Sequence, residues 1–338
     1  MKTALLAFAA AFVVSYFLTP LVIRLAVRFD VIDHPEERRV HERPTPRWGG
    51  IAIYLAFMAA VIVTVVGHIF IYRAPLINFN AQILGVLIGA TIIAIVGLLD
   101  DKFNLSPIIQ IASILAGGAV LIATGSKIAY ISNPMGPGML GIGWMAIPVT
   151  LIWIFGVTKT VDLMDGLDGL AAGFCAIASA TLLIMTFRSL PDNAEWAAQH
   201  VKLVSSFVMV RVFSAALLGA SLGFLRFNYP PAKIFMGTVG AQFMGFIIAS
   251  ESVVGAFKIA ALVAIAVPLL VLSIPILDAA FVVIMRAVGG QKVYEADKSH
   301  VHHRLLERGL SHGQTIWVIY LLTAALSAVG LVLFWYVK

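Results

Sequence analysis

Charge is scarce in this sequence. Only 12% of its 338 residues are Asp, Glu, Lys or Arg, whereas 61% are hydrophobic and the mean hydropathy is +0.98. A water-soluble domain cannot hide that much apolar surface, so the soluble globular classes are excluded. Cysteine is nearly absent as well. The single Cys175 lies inside an apolar run, which excludes disulfides within the chain and thiolate metal sites and leaves it a packing role. The formal charge of +6 would point to nucleic acid in a soluble protein. Here Lys and Arg flank apolar runs, as they do in membrane proteins, and no nucleic-acid partner is expected.

What the sequence has instead is long hydrophobic runs, at 3–27, 50–71, 82–99, 107–124, 146–158, 169–187, 203–225, 236–252, 258–285 and 314–337. A bilayer core takes about 20 apolar residues per helix, so the expected fold is all-α, a polytopic integral membrane bundle of about ten transmembrane helices in the lipid bilayer. The runs consume residues 1–338 as a single transmembrane domain. The fifth and eighth are short, and the ninth contains Pro268 and Pro275, which predict a kink. The first run, Thr3 to Val27, is too long for a signal peptide and is followed by Arg28. It is expected to be a retained span with its amino terminus outside. Arg211, near the outer end of the seventh run, is expected to snorkel to the interface.

Orientation follows from the basic residues of alternate loops. Arg24, Arg28, Arg38, Arg39, Arg43 and Arg47 crowd the first connection, and Arg286, Lys292, Lys298, Arg304 and Arg308 crowd the last. The alternating connections near 72–81 and 125–145 carry one basic residue each, Arg73 and Lys127. The positive-inside rule therefore makes loops 24–49, 100–106, 158–168, 226–238 and 286–313 cytoplasmic. Most ionisable residues then converge on one face, which predicts a phosphate-handling site there.

Adjacent carboxylates Asp100 and Asp101 close an apolar helix in GLLDDKFNLSP. At a membrane boundary they repel each other unless a cation lies between them, and a hard divalent ion supplies that cation. A solvated, capped helix end is the alternative. Asp162, Asp165 and Asp168 in VDLMDGLDGLAAG recur every third residue, which places them on one face if the segment is helical. The alternative is a Gly-rich turn between two spans. EADKSHVHHRLLERGLSHG gathers Asp297, Lys298, His300, His302, His303, Arg304 and His312. Zinc, proton transfer and anion binding compete for this loop, and diphosphate or sugar contacts suit its imidazoles and guanidinium best. HPEERRVHERPTPRWGG, with Arg47, could meet lipid headgroups or a substrate phosphate. Gly237 to Gly240 could offer backbone N–H groups to phosphate at a helix amino end.

The order of VIDHPEERRVHERPTPRWGGIAI, GLLDDKFNLSP, LMDGLDGLAAG, ALLGASLGFLRFNYPPAKIFMG, PILD and ADKSHVHHRLLERGLSHGQT resembles the polyprenyl-phosphate N-acetylhexosamine-1-phosphate transferases, and within them the bacterial UDP-N-acetylglucosamine:undecaprenyl-phosphate branch. The resemblance implies that undecaprenyl phosphate attacks the β-phosphorus of UDP-N-acetylglucosamine, giving lipid-diphosphate-sugar and UMP with Mg²⁺, or Mn²⁺ in its place. It further implies an inner (cytoplasmic) membrane enzyme, and suggests a homodimer. By position, Asp100, Asp101 and Asp168 would be catalytic, and Asp100, Asp101, Asp165 and Thr238 would lie at the metal. Arg47, Lys159, Asp162, Asp165, His300, His302, His303 and Arg304 would bind substrate.

Three positions depart from the family pattern: Lys159 and Asp162 stand where it has Asn, and Thr238 where it has a metal-binding Asp. The competing reading is thus an impaired or silent homologue that still binds UDP-sugar or lipid phosphate. A transporter is disfavoured, because transport sites lie near the midplane. No motif specifies the downstream polymer, whether teichoic acid, O-antigen lipopolysaccharide or another glycan. The topology predicts that a cysteine introduced at Lys292 is shielded from membrane-impermeant maleimide in intact cells and reacts once the membrane is opened. Labelling from outside would reverse the orientation.

Overall fold

In a computed structural model, residues 2–34, 44–72, 81–132, 138–188, 195, 199–255 and 301–336 are described. The chain is a polytopic helical membrane protein. Its helices are α1 (Lys2–Arg28), α2 (Gly49–Tyr72), α3 (Ala81–Phe103), α4 (Pro107–Ala123), α5 (Ala146–Met164), α6 (Leu170–Arg188), α7 (Val201–Asn228), α8 (Gly237–Gly255), α9 (Val301–Glu307) and α10 (His312–Tyr336). Eight of these are long and apolar enough to cross a bilayer, and α4 is a shorter apolar helix. Two antiparallel ribbons complete the described elements, β1 (Ile32–Asp33) with β2 (Thr45–Pro46) and β3 (Tyr130–Ser132) with β4 (Met139–Gly141). The expected ninth span, 258–285, lies outside the described residues.

Small and weakly polar side chains set the packing, since lipid tails give apolar residues no reason to prefer each other. The buried stripe of α1 is Ala4, Ala7, Ala11, Ser15, Thr19, Val22 and Ala26, and it lies on α7 and α2. There the Ser15 hydroxyl donates to the Ala220 carbonyl at 2.8 Å. The opposite side of α1 presents Leu5, Val13, Phe17 and Leu21 to the surroundings, as a lipid-facing helix should. Helix α8 runs through the centre, touched by α2, α3, α5, α6 and α7, and every residue from Val239 to Val254 is buried. Two of the polar groups inside it find partners on its neighbours. The Ser214 hydroxyl donates to Glu251 at 2.7 Å and the Trp153 indole to Ser252 at 2.7 Å.

Several helix ends differ from the sequence reading. The fifth and eighth spans are full helices of 19 residues. Helix α5 runs to Met164, so Lys159 and Asp162 are helical and not in a connecting loop. Helix α3 carries Asp100 and Asp101 in its last turn. His302, His303 and Arg304 lie on the short α9, and His300 lies outside the described residues. The Arg211 guanidinium donates to the Thr186 carbonyl at 2.7 Å and lies 4.7 Å from the Phe187 ring.

The segment PTPRWGG is a backbone staple at this end. Arg47 N–H donates to Val31 O, Phe235 N–H to Pro46 O, Gly49 N–H to Phe235 O and Gly50 N–H to Met236 O, at 2.8–3.0 Å. A Cβ on Gly50 would collide with the backbone of Gly240, so α2 and α8 cross where neither has a side chain. Gly50→Val is expected to destabilise the bundle by about 1–3 kcal/mol through overpacking. A thermal unfolding midpoint equal to that of the parent protein would refute this close crossing.

Candidate active site

The helix ends at this face assemble a polar cluster from residues far apart in sequence. Asp101 is buried, and its carboxylate closes the amino end of α8, with Oδ1 accepting Thr238 N–H at 2.8 Å and Oδ2 accepting Val239 N–H at 3.3 Å. An opening turn has orphan N–H groups and a positive dipole end, which favour an anion there. Gly237 makes the fit, since its φ of +73° suits glycine and a Cβ would strike the Asp101 carboxylate. The N–H groups that the sequence offered to phosphate are therefore occupied by the protein's own carboxylate. Thr238 sits in that first turn, beside Asp101.

Asp100 faces α4, where its Oδ1 accepts the Gln110 amide at 2.9 Å. Gln110 Oε1 in turn accepts Lys159 Nζ at 2.8 Å and Gln242 Nε2 at 3.2 Å. Lys159 also meets Asp162 Oδ2 at 2.5 Å, one helical turn on, and Gln242 donates to the same oxygen at 3.3 Å. Four helices, α3, α4, α5 and α8, are thus joined by one chain of side-chain bonds.

The three acidic residues of the DGLDG region do not share a helical face, because α5 ends at Met164 and a turn follows. Asp162 faces Lys159 and Gln242. Asp168 Oδ2 accepts Ala232 N–H at 2.8 Å and so braces the α7–α8 connection. Asp165 keeps some exposed surface although protein surrounds it. Burial pushes its carboxyl well above the usual carboxylate range; Asp162 and Asp101 push it the same way, Arg47 opposes them, and Asp168 adds to the rise. The proton-binding form of Asp165 is therefore favoured over that of an exposed aspartate.

Arg47 is half-buried and pairs with Asp33 at 3.2 Å, while its charge also reaches Asp101 and Asp165. It follows Pro46 and precedes Trp48, whose φ of +77° is strained for a bulky residue. The Trp48 indole reaches the Leu98 carbonyl at 3.3 Å, which ties this strained corner to α3. On the other flank, the Tyr320 hydroxyl donates to Gly169 O at 2.6 Å, Gly169 N–H to Asn228 Oδ1 at 3.0 Å, and the Trp317 indole to Tyr229 at 3.1 Å. Helix α10 is fastened to the acidic turn. Arg304 is half-buried on α9, and the side chains of His302 and His303 lie outside the described set.

The expected metal residues are near each other but not gathered as ligands. Among the described residues no group of three or more His, Cys, Asp or Glu side chains is arranged to hold an ion. Asp101 is engaged by backbone N–H groups, Asp100 by Gln110 and Asp162 by Lys159, and as they stand these side chains are not arranged around a divalent ion. Gln110, Gln242, Asn228, Trp48 and Tyr320 were missed from sequence. The signal for the two glutamines was their solitude: an amide inside PIIQIASIL or GAQFMGF must find a polar partner in a membrane bundle.

The cluster draws on Asp100, Asp101, Gln110, Lys159, Asp162, Asp165 and Gln242, all within residues 83–256, a stretch that matches glycosyl transferase family 4. The chain belongs to that family. It is 36% identical over 327 residues to a probable undecaprenyl-phosphate N-acetylglucosaminyl 1-phosphate transferase of Bacillus subtilis, covering 96% of this chain and 84% of that one. It is 31% identical over 332 residues to the decaprenyl-phosphate N-acetylglucosaminephosphotransferase of Mycobacterium tuberculosis, covering 92% and 78%. An undecaprenyl-phosphate alpha-N-acetylglucosaminyl 1-phosphate transferase of Escherichia coli K12 is 24% identical over 318 residues, covering 91% and 77%. The family match and these relatives bear out the resemblance drawn from the motifs.

The capping geometry makes a testable distinction between the two adjacent acids. Asp101→Ala is expected to cost about 1–2 kcal/mol, the usual loss when a helix cap is removed. Asp100→Ala, which loses only the Gln110 side-chain bond, should lower the unfolding midpoint less. Equal shifts in a thermal scan would remove Asp101 from its capping role.

Proposed function

We propose that this chain transfers N-acetylglucosamine-1-phosphate from UDP-N-acetylglucosamine to undecaprenyl phosphate and releases UMP. The reaction would occur at the cytoplasmic face of the inner membrane, as a first membrane step of envelope glycan synthesis. The observation that carries the reading is the cluster of Asp100, Asp101, Asp162 and Asp165 with Arg47 and Lys159, built from helix ends at one face of a membrane bundle. A lipid phosphate is confined to such a face, and a nucleotide sugar reaches it from water. The names of the relatives support the same chemistry.

In the transfer, an oxygen of the lipid phosphate forms a bond to the β-phosphorus and the bond to the oxygen bridging the α-phosphorus breaks, so UMP carries away that oxygen. Such reactions are catalysed by positioning and charge neutralisation. Arg47 supplies positive charge beside the acids, and Asp100, held by Gln110, would orient the attacking phosphate. Asp165 would face the nucleotide side, with His300, His302, His303 and Arg304 of the basic segment contacting diphosphate and sugar. Asp168 and Tyr320 hold the turn that presents Asp165. Mg²⁺ or Mn²⁺ belongs to the expectation from the resemblance. It would lend Lewis-acid charge neutralisation when bound, and the steps above use protein groups alone.

The test is UMP release by the full chain in lipid nanodiscs containing undecaprenyl phosphate, with UDP-N-acetylglucosamine, across a Mg²⁺ titration. Release that requires both substrates is expected, and Asp100→Asn should lower the rate by about 10²-fold or more. Retained binding of UDP-sugar with no UMP under any condition would favour the silent-homologue reading, for which the engagement of Lys159 with Asp162 speaks. Near-parental turnover in Asp100→Asn would remove that carboxylate from the mechanism.

A further inference from the structure

We propose that the Lys159 ammonium is a built-in cation of this site, occupying the oxygens on which a divalent ion would otherwise depend. Its Nζ lies 2.5 Å from Asp162 Oδ2 and 2.8 Å from Gln110 Oε1. An ammonium has three donors and no acceptor, so it turns acceptor oxygens toward itself as a bound metal would. Here the two oxygens are also those that Gln242 contacts, at 3.2 and 3.3 Å. Gln242 is fully buried, and Gln110 passes the arrangement on to Asp100 at 2.9 Å. The ammonium is therefore the hub of a network that orients two carboxylates and two amides.

A routine ion pair between neighbours on a helix would not do this. Exposed pairs of that kind contribute little and hold nothing else in place. Lys159 and Asp162 are instead largely sheltered, with side chains 28% and 15% exposed, and both are bonded to residues of other helices. The electrostatic need is equally local. Asp165 lies in the field of Asp162, Asp101 and Asp168, and the opposing charge acting on it is Arg47. Without Lys159, Asp162 would lose the cation paired with it. With Lys159, Asp162 and Gln110 already have their cation.

The consequence is a site whose affinity for divalent cations is suppressed by a tethered monovalent one. Lys159 is a positioning residue under this proposal, acting through Asp162, Gln110 and Asp100. The proposal builds on the site assigned above but is read without turnover, so its failure and the failure of the transferase reading are distinguishable.

The experiment is Mn²⁺ binding to the purified full chain in nanodiscs, followed by loss of the free-ion paramagnetic resonance signal. Unfolding midpoints and size-exclusion profiles are taken on the same samples. Lys159→Met and Lys159→Gln both remove the charge and should bind Mn²⁺ at least about ten-fold more tightly than the parent, as removal of a neighbouring positive charge requires. Lys159→Arg should match the parent. Adding Asp162→Asn to Lys159→Met should abolish the gain, because the released carboxylate is then gone. The proposal is overturned if neither neutral variant gains affinity, if the gain survives Asp162→Asn, or if Lys159→Arg gains as much as Lys159→Met. Two neutral variants guard against one failing to fold, and failure of both to yield a folded protein would make Lys159 a folding residue and overturn the proposal.

Discussion

The contact on which the rest of this site depends is the Asp101 carboxylate against the first N–H groups of α8. A buried carboxylate is costly unless its oxygens are satisfied, and a buried helix start is costly unless its N–H groups are. Each problem answers the other. Once α3 and α8 are locked in this way, the neighbouring Asp100 points to α4, and Gln110 relays that position to Lys159 and Gln242. The same lock holds Gly237 where no other residue fits. Removing the anion would loosen helices as well as chemistry.

The spans were legible because a bilayer imposes one length and one composition on every crossing helix. Their ends were not. A hydropathy reading of α5 stops near Thr158, at the first charge, yet the helix continues to Met164. Lys159 and Asp162 sit inside the bundle beside Gln110 and Gln242, so their polarity is answered by protein and does not mark an exit to water. Helix α3 likewise keeps Asp100 and Asp101 helical and buried. Polarity in a membrane protein signals where partners are, which is only sometimes the aqueous boundary.

The acidic positions themselves were readable, but their orientations were not. Spacing by three suggested that Asp162, Asp165 and Asp168 shared a face, and the turn after Met164 separates Asp168, on Ala232, from Asp162, on Lys159 and Gln242. The Gly-rich sequence was the available warning, since Gly169 has a φ of +78° that a helix would not use. Solitary amides carried the other missed signal. Gln110 and Gln242 each stand alone in an apolar run, and both proved to be junctions between helices.

Helix α10 has a consequence for how the protein is made. Tyr320 lies near the carboxyl end of the chain, yet its hydroxyl holds the carbonyl of Gly169, near the middle, at 2.6 Å. A ribosome has synthesised every acid of the cluster long before this tyrosine emerges. The nascent bundle therefore inserts with its acidic turn lacking one anchor, and the turn reaches its final support only when the last described helix enters the membrane. Completion of the site therefore waits on the insertion of α10.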